Sequence, residues 1–217
     1  MANNSKIKIC GVKDIKISKL LLDLNIDFIG LNFIKKSSRF ITKEKAKSIS
    51  DEITQYQKII NSKINTVGLF QNHEIEYVNS IIKYLNLDYV QLCGSEDYNY
   101  SKKINTKIIK MIHIKNDEKK EVIESQIKSS LKYAAFIILD TFSISSSGGT
   151  GKKFNWEKFK DLFNEKIFIA GGLNPDNINN FYKKYSPWGV DVASGVEINK
   201  VKDISKIRLF VENLNSK

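Results

Sequence analysis

The 217-residue sequence is poor in the residues on which several protein classes depend. It has two cysteines, Cys10 and Cys93, and two histidines, His73 and His113. These counts exclude a disulfide scaffold and a zinc module with regular ligand spacing. No apolar run approaches the roughly 18–20 residues of a membrane span, and the first ten residues have no signal-peptide-like apolar stretch. We therefore expect no membrane partner, and a cytoplasmic protein with reduced thiols.

Arginine is equally scarce, since Arg39 and Arg208 are the only two, yet the formal net charge is +11 because lysines occur throughout the chain. This charge suggests one non-enzyme alternative, a basic α/β module that binds nucleic acid. No basic run reaches about five or six residues, and none is interleaved with aromatic residues as in single-strand binders. We therefore expect no nucleic-acid partner; steep salt dependence of DNA or RNA binding would favour the alternative.

Short β-rich runs alternate with helical segments along the whole sequence. Strands are predicted at residues 6–10, 28–33, 66–70, 89–93, 107–112, 136–140, 167–170 and 189–192. Helices are predicted from about residue 13, after Thr42, and at residues 74–85, 117–131, 174–185 and 203–214. This spacing predicts an α/β protein, a (β/α)₈ TIM barrel forming a single domain over residues 1–217. The alternative is an open doubly wound sheet, although no G-x-G-x-x-G follows the first strand.

Active sites of such barrels lie at the carboxyl ends of the strands. Polar, reactive and glycine residues gather at these predicted ends: Cys10-Gly11, Ser37-Ser38-Arg39, Gln91, Cys93, Asp140-Thr141, Gly171-Gly172, Asp191 and Ser194-Gly195. His73 and His113 have no predicted strand-end position, and we interpret both as ordinary surface or core residues.

Eight short blocks carry a resemblance to a known family. They are KICG at 8–11, SSRF at 37–40, VGLF at 67–70, VQLCG at 90–94, LDT at 139–141, GGTGKKFNW at 148–156, AGGLNPDNI at 170–178 and GVDVASGVE at 189–197. In this order they resemble phosphoribosylanthranilate isomerases of tryptophan biosynthesis. The resemblance implies an Amadori rearrangement of N-(5-phosphoribosyl)anthranilate to 1-(2-carboxyphenylamino)-1-deoxyribulose 5-phosphate. It also implies a phosphorylated small-molecule substrate and no metal or organic cofactor, because the substrate's own iminium is the electron sink.

The same resemblance implies that Cys10 is the general base and Asp140 the general acid. A thiol with a pKa near 8.5 must first ionise. Lys8 shares a strand face with Cys10 at a distance of roughly 7 Å, so we hypothesise that its ammonium lowers the pKa of Cys10. An ion pair between Lys8 and an acid such as Asp191 is the alternative. Asp140 must hold a proton, which burial behind the apolar run at 134–139 would favour.

The remaining substrate contacts are also implied by the resemblance. Arg39 is expected to bind the anthranilate carboxylate, for which a planar guanidinium is suited. Asp191 is expected to contact a hydroxyl of the ribose-derived chain or to pair with Lys8. Lys8 itself is counted among the substrate-binding candidates.

Glycine-rich turns are the candidates for binding the phosphate, because backbone N–H groups and a helix N-terminus favour an anion. The four phosphate-binding candidates are Gly171, Gly172, Ser194 and Gly195. A second group of glycines is expected to form a loop that closes over the substrate: Gly148, Gly149 and Gly151.

Two departures from the family pattern keep alternatives open. Cys93 stands where the family usually has histidine in VQLHG, and the Pro-Gly usual near the end is missing from residues 197–203, which predicts a less sharply turned loop. The related histidine-pathway isomerase typically uses two aspartates, so Cys10 speaks against it, while a degenerate non-catalytic homologue stays open. Monomer and homodimer are both compatible with the sequence.

Overall fold

A computed structural model of the protein describes residues 5–115, 117–141 and 154–216. Gly148, Gly149 and Gly151, the glycines expected to close over the substrate, lie outside the described residues.

Eight parallel strands pair in chain order and close into a barrel, as predicted. They are β1 Lys6–Cys10, β2 Phe28–Asn32, β3 Asn65–Phe70, β4 Tyr89–Leu92, β5 Lys107–Ile114, β6 Phe136–Thr141, β7 Ile167–Ile169 and β8 Gly189–Val192. Closure is made by β1 against β8, with Lys8 in register with Asp191. The open doubly wound sheet is therefore excluded.

Helices follow the strands around the outside of the barrel. They are α1 Ile15–Asp23, α2 Lys43–Ile60, α3 Ile75–Leu85, α4 Tyr98–Ser101, α5 Lys120–Ser130, α6 Trp156–Phe159, α7 Pro175–Tyr185 and α8 Ile204–Asn215. Thr42 caps α2 as its sequence suggests, accepting a hydrogen bond from the Lys45 N–H. Among the described residues, no helix has both the length and the apolar character that crossing a membrane requires.

The strands are buried on both faces, which explains their nearly continuous apolar sequences. One face packs against the helices in a large aliphatic core, and the other fills the barrel. Aromatic rings fill the amino-terminal end of the barrel, where Phe28 lies 5.3 Å from Phe168 and Phe136 lies 5.1 Å from Trp188, between ring centroids.

A two-stranded hairpin after β8 differs from the loop expected from the sequence. Strands β9 Glu197–Ile198 and β10 Val201–Lys202 pair antiparallel across Asn199 and Lys200. These two residues have φ angles of 50° and 66°, which makes a tight two-residue turn of type I′. The prediction of a less sharply turned loop is therefore wrong. Asn199 and Lys200 adopt the left-handed conformation that a tight turn requires, although neither is a glycine.

Candidate active site

A pocket opens at the carboxyl-terminal end of the barrel. Side chains from several different strands and loops line it, and four of the predicted site residues are among them: Cys10, Arg39, Asp140 and Asp191. Ile34, Leu69 and Met111 supply apolar lining. The pocket thus combines ionisable groups with an apolar surface, the usual make-up of a small-molecule site.

Cys10 ends β1 and points into the barrel with 6% of its surface exposed. Gly30 on β2 leaves space beside it, since a Cβ at position 30 would lie 3.0 Å from the Cys10 Sγ. Burial raises the pKa of Cys10, while the ammonium of Lys8 acts in the opposite direction. The direction of the hypothesised Lys8 effect is confirmed, since the ammonium lowers the pKa of Cys10, although desolvation of the thiol is the larger effect.

Lys8 is fully buried and forms an ion pair with Asp191, with 2.9 Å between Nζ and Oδ1. Burial alone would lower the pKa of Lys8, but the Asp191 carboxylate keeps it above its usual value. Of the described residues that line the pocket, Asp191 is one and Lys8 is not. The structure thus places Lys8 beneath the pocket, as the partner of Asp191.

Asp140, near the end of β6, is 9% exposed and lines the same pocket as Cys10. Burial, and secondarily the nearby Asp191 carboxylate, raises the pKa of Asp140 to about 7, although the Thr141 N–H donates to its Oδ1 at 2.7 Å. The prediction that burial raises this pKa is confirmed. A carboxyl group with this pKa is partly protonated at neutral pH and can donate a proton.

Arg39 lies in the loop after β2 and is 6% exposed. Its Nε and Nη2 donate to Oε1 and Oε2 of Glu197 at 2.8 and 2.6 Å, in a bidentate pair. The Arg39 stem lies directly over Gly11, which has φ 77° and has no space for a side chain, because a Cβ would be 2.4 Å from Arg39 Cδ. Lys202 also contacts Glu197, and its burial lowers its pKa while Glu197 opposes that shift.

The glycine loops after β7 and β8 lie against each other. Gly171 and Gly172 have φ angles of 82° and 75°, and a Cβ at Gly195 would be 1.9 Å from the Leu173 carbonyl oxygen. Among the described residues, none accepts a hydrogen bond from the N–H groups of Gly171 and Gly172. Ser194 begins a short 3₁₀ helix, Ser194–Val196. The four phosphate candidates therefore converge on one place.

The first turn of α7 offers fewer free N–H donors for a phosphate than the sequence suggests. The Asn174 side chain accepts hydrogen bonds from the N–H groups of Asp176 and Asn177, and Asn177 in turn accepts from the Asn174 N–H. These donors are already used by the helix's own cap. The glycine N–H groups are consequently the better donors for an anion.

Three further residues line the pocket although the sequence analysis did not place them there. Strand β5 continues to Ile114, so His113 lies in register with Asp140 and lines the pocket, contrary to its interpretation as an ordinary residue. Burial lowers the pKa of His113, which keeps the imidazole neutral at pH 7. Asn32 and Gln71, near the ends of β2 and β3, also line the pocket. Continuing the alternation of residues 109 and 111 by one step would have placed His113.

Cys93 lies just after β4 and lines the pocket as well. Burial raises its pKa, and the Gln91 Nε2 donates to its Sγ at 3.4 Å. It is therefore a neutral thiol at physiological pH. Within the described ranges, no group of three or more His, Cys, Asp or Glu side chains could hold a metal ion.

Comparison with known proteins adds independent findings. Residues 7–213 match the family model for N-(5'-phosphoribosyl)anthranilate isomerase. The N-(5'-phosphoribosyl)anthranilate isomerase of Dehalococcoides mccartyi is 38% identical, over 96% of this chain and 95% of that protein.

Two solved structures are similar over nearly the whole chain. A phosphoribosylanthranilate isomerase in complex with reduced 1-(o-carboxyphenylamino)-1-deoxyribulose 5-phosphate is 30% identical, with a TM-score of 0.74, covering 97% of this chain and 98% of that one. Monomers generated from the dimeric phosphoribosylanthranilate isomerase of Thermotoga maritima are 28% identical with a TM-score of 0.76 and the same coverage.

Proposed function

Because the chain belongs to the N-(5'-phosphoribosyl)anthranilate isomerase family, we propose that the barrel pocket is where it rearranges N-(5'-phosphoribosyl)anthranilate. The chain is an isomerase of tryptophan biosynthesis that converts this aminoaldose to 1-(2-carboxyphenylamino)-1-deoxyribulose 5-phosphate. The observation that carries the site assignment is that Cys10 and Asp140 line one pocket with Arg39.

Asp140 is the general acid in this proposal. Its carboxyl group, with a pKa of about 7, gives its proton to the ring oxygen of the sugar. The C1–oxygen bond breaks, and the electron pair on nitrogen forms the protonated Schiff base. Burial serves the reaction here, because a solvent-exposed aspartate would have lost its proton at pH 7.

Cys10 is the general base. Its thiolate takes the proton from the sugar C2, and the electron pair of that C–H bond moves toward the iminium carbon to form an enaminol. Proton uptake at C1 and loss of the hydroxyl proton then give the aminoketose. The substrate's protonated nitrogen supplies the electron sink, so the proposal needs no cofactor. The positive charges of Lys8 and of the Schiff base both favour the thiolate.

The two ends of the substrate are held by different elements: Arg39 lines the pocket, whereas the glycine loops lie outside its lining, which ends next to them at Ala193. Arg39 binds the anthranilate carboxylate, and the N–H groups of the glycine loops at 171–172 and 194–195 bind the phosphate. Asp191 lines the pocket while it pairs with Lys8, so one of its oxygens is placed to contact a sugar hydroxyl.

Further parts of the proposal concern partners and location. We take residues 1–217 as one barrel domain that acts as a monomer or homodimer, as the monomeric and dimeric forms of the Thermotoga maritima enzyme suggest. We expect no nucleic-acid partner, and a cytoplasmic location because the reaction is a step of amino-acid biosynthesis.

The test is a turnover assay in which phosphoribosylanthranilate is formed in situ and the loss of its fluorescence is followed. We expect wild-type turnover, and a loss of roughly 10²–10⁴-fold in kcat for Cys10→Ala and for Asp140→Asn, the usual effect of removing an acid or base. Asp161→Asn, on an exposed carboxylate, is the matched control. Turnover largely retained by Cys10→Ala would show that another group is the base.

A further inference from the structure

Three charged side chains form a buried cluster at the edge of the pocket. The side chains of Arg39, Glu197 and Lys202 are 8%, 5% and 4% exposed. Glu197 accepts two hydrogen bonds from Arg39, and its Oε1 lies 2.5 Å from the Lys202 Nζ. Lys202 also donates to the Ala193 carbonyl oxygen at 2.9 Å. Only Arg39 of the three lines the pocket.

We propose that Glu197 and Lys202 are positioning residues that make Arg39 selective for the substrate's carboxylate. Glu197 sets the direction of the guanidinium, and Lys202 keeps the cluster positively charged. This inference rests on the proposed function, in which Arg39 binds the anthranilate carboxylate.

The direction of the guanidinium follows from its hydrogen bonds. Arginine has five N–H donors in a rigid plane, and Glu197 uses the edge formed by Nε and Nη2. Within the part of the chain that the structure describes, no hydrogen bond uses the other edge, formed by Nη1 and the second N–H of Nη2, so a carboxylate can bind there with two parallel hydrogen bonds. Gly11 packs under the Arg39 stem and holds it from the other side.

The charge of the cluster explains the need for Lys202. Arg39 and Glu197 alone would form a neutral pair, which has little attraction for a second carboxylate. The ammonium of Lys202 brings the sum to one positive charge. Transfer of a carboxylate from water into a buried site is unfavourable unless an opposite charge meets it, so this remaining charge matters for binding.

The hairpin places the two partners of Arg39. Lys202 lies opposite Glu197 in the β9–β10 register, and the turn at Asn199 and Lys200 brings them together. Lys206 donates to the Glu197 carbonyl oxygen at 3.1 Å and ties the hairpin to α8. Two members of the cluster, Glu197 and Lys202, thus come from the hairpin after β8. They hold the third member, Arg39, which lies in the loop after β2.

The experiment compares two ligands that differ only in the carboxylate. One is reduced 1-(o-carboxyphenylamino)-1-deoxyribulose 5-phosphate, and the other is the same compound without its carboxylate. Dissociation constants are measured by calorimetry with the full chain, and their ratio reports recognition of the carboxylate. We expect the wild type to bind the carboxylated compound roughly 10- to 100-fold more tightly.

Lys202→Gln keeps a donor toward Glu197 and Ala193 but removes the charge, and we expect it to reduce this ratio about fivefold or more. Lys202→Arg restores the charge and should restore most of the ratio. Lys83→Met, which removes one charge from an exposed helix position, should leave the ratio unchanged. Glu197→Gln separates direction from charge: it makes the cluster more positive, yet we expect the ratio to fall because Arg39 loses its bidentate partner.

The outcomes distinguish this inference from the proposed function. An unchanged ratio in Lys202→Gln, or equal weakening of both ligands, would overturn the role of Lys202. A higher ratio in Glu197→Gln would overturn the role of Glu197, and that variant also serves if Lys202→Gln does not fold. A wild-type ratio near one would show that Arg39 does not bind the carboxylate of the ligand. Absence of turnover by the wild type would count against the reaction itself.

Discussion

The ammonium of Lys8 and the carboxylate of Asp191 lie 2.9 Å apart inside the barrel, directly below the thiol that we propose as the base. Their strands, β1 and β8, are the pair that closes the barrel, and the two residues are in register. This ion pair therefore joins the first and last strands of the barrel just below the level where the chemistry is proposed to occur. Its charges act on Cys10 in opposite directions, with Lys8 the stronger.

Lys8→Met should raise the pKa of Cys10 further, because the buried Asp191 carboxylate then acts on the thiol without its counter-charge. The pKa is measured from the pH dependence of alkylation by iodoacetamide in a Cys93→Ser background. Loss of one partner of a buried pair also destabilises a fold, by about 3–5 kcal/mol. The matched variant is therefore Lys8→Met with Asp191→Asn, in which the pKa of Cys10 should lie below that of the single variant. An unchanged pKa in Lys8→Met would end the hypothesis.

Asp140→Asn should stabilise the fold at neutral and alkaline pH while it removes activity. The folded-state pKa of Asp140 is about 7 against an ordinary value of 3.8, so its favourable contribution is complete below pH 3.8 and is lost as the pH rises to about 7. The Asn variant avoids that loss, which is about 4 kcal/mol above pH 7. Denaturant unfolding at pH 5 and pH 8 measures it. Equal effects at both values would mean that the folded-state pKa of Asp140 is ordinary.

Arg39→Lys should raise KM roughly 10- to 100-fold with a smaller effect on kcat. The reason is that an ammonium group cannot form one bidentate pair of hydrogen bonds with Glu197 and a second with the carboxylate of the ligand. The chain offers a matched control in Arg208→Lys, since Arg208 is the only other arginine and is exposed on α8. Steady-state kinetics with the fluorescent substrate provide the measurement. A fall in kcat at constant KM would instead place Arg39 in the chemical step.

Gly195→Ala should weaken phosphate binding about tenfold or more, because the new Cβ would lie 1.9 Å from the Leu173 carbonyl oxygen and must push the two glycine loops apart. Competitive inhibition by inorganic phosphate measures this without the rest of the substrate. Ser205→Ala, at an exposed position of α8, is the control. An unaltered inhibition constant would place the phosphate elsewhere.

Much of this architecture could be predicted from sequence, because alternating strands and helices have local signals. This alternation predicts all eight barrel strands, and it places Cys10, Arg39, Asp140 and Asp191 at the strand ends that meet in the pocket. Their position at strand ends is a property of chain order, which periodicity reveals.

The parts that escaped prediction depend on distant contacts or on local geometry without a strong signal. His113 was missed because the fifth strand was ended two residues early. The pairing of Arg39 with Glu197 joins residues 158 positions apart, so no local pattern could indicate it. The hairpin that makes this contact turns on Asn199 and Lys200, and lysine is an uncommon residue at a positive φ. The absence of Pro-Gly there pointed to a looser loop than the one that forms.

The aromatic rings at the amino-terminal end of the barrel have a consequence for how turnover proceeds. Because Phe28, Phe136, Phe168 and Trp188 fill that end, the pocket opens toward the carboxyl-terminal side, and substrate and product use the same opening. A product molecule that has not yet left occupies the route of the next substrate. Product should consequently inhibit competitively, and the rate of its departure sets an upper limit on kcat however fast the two proton transfers become.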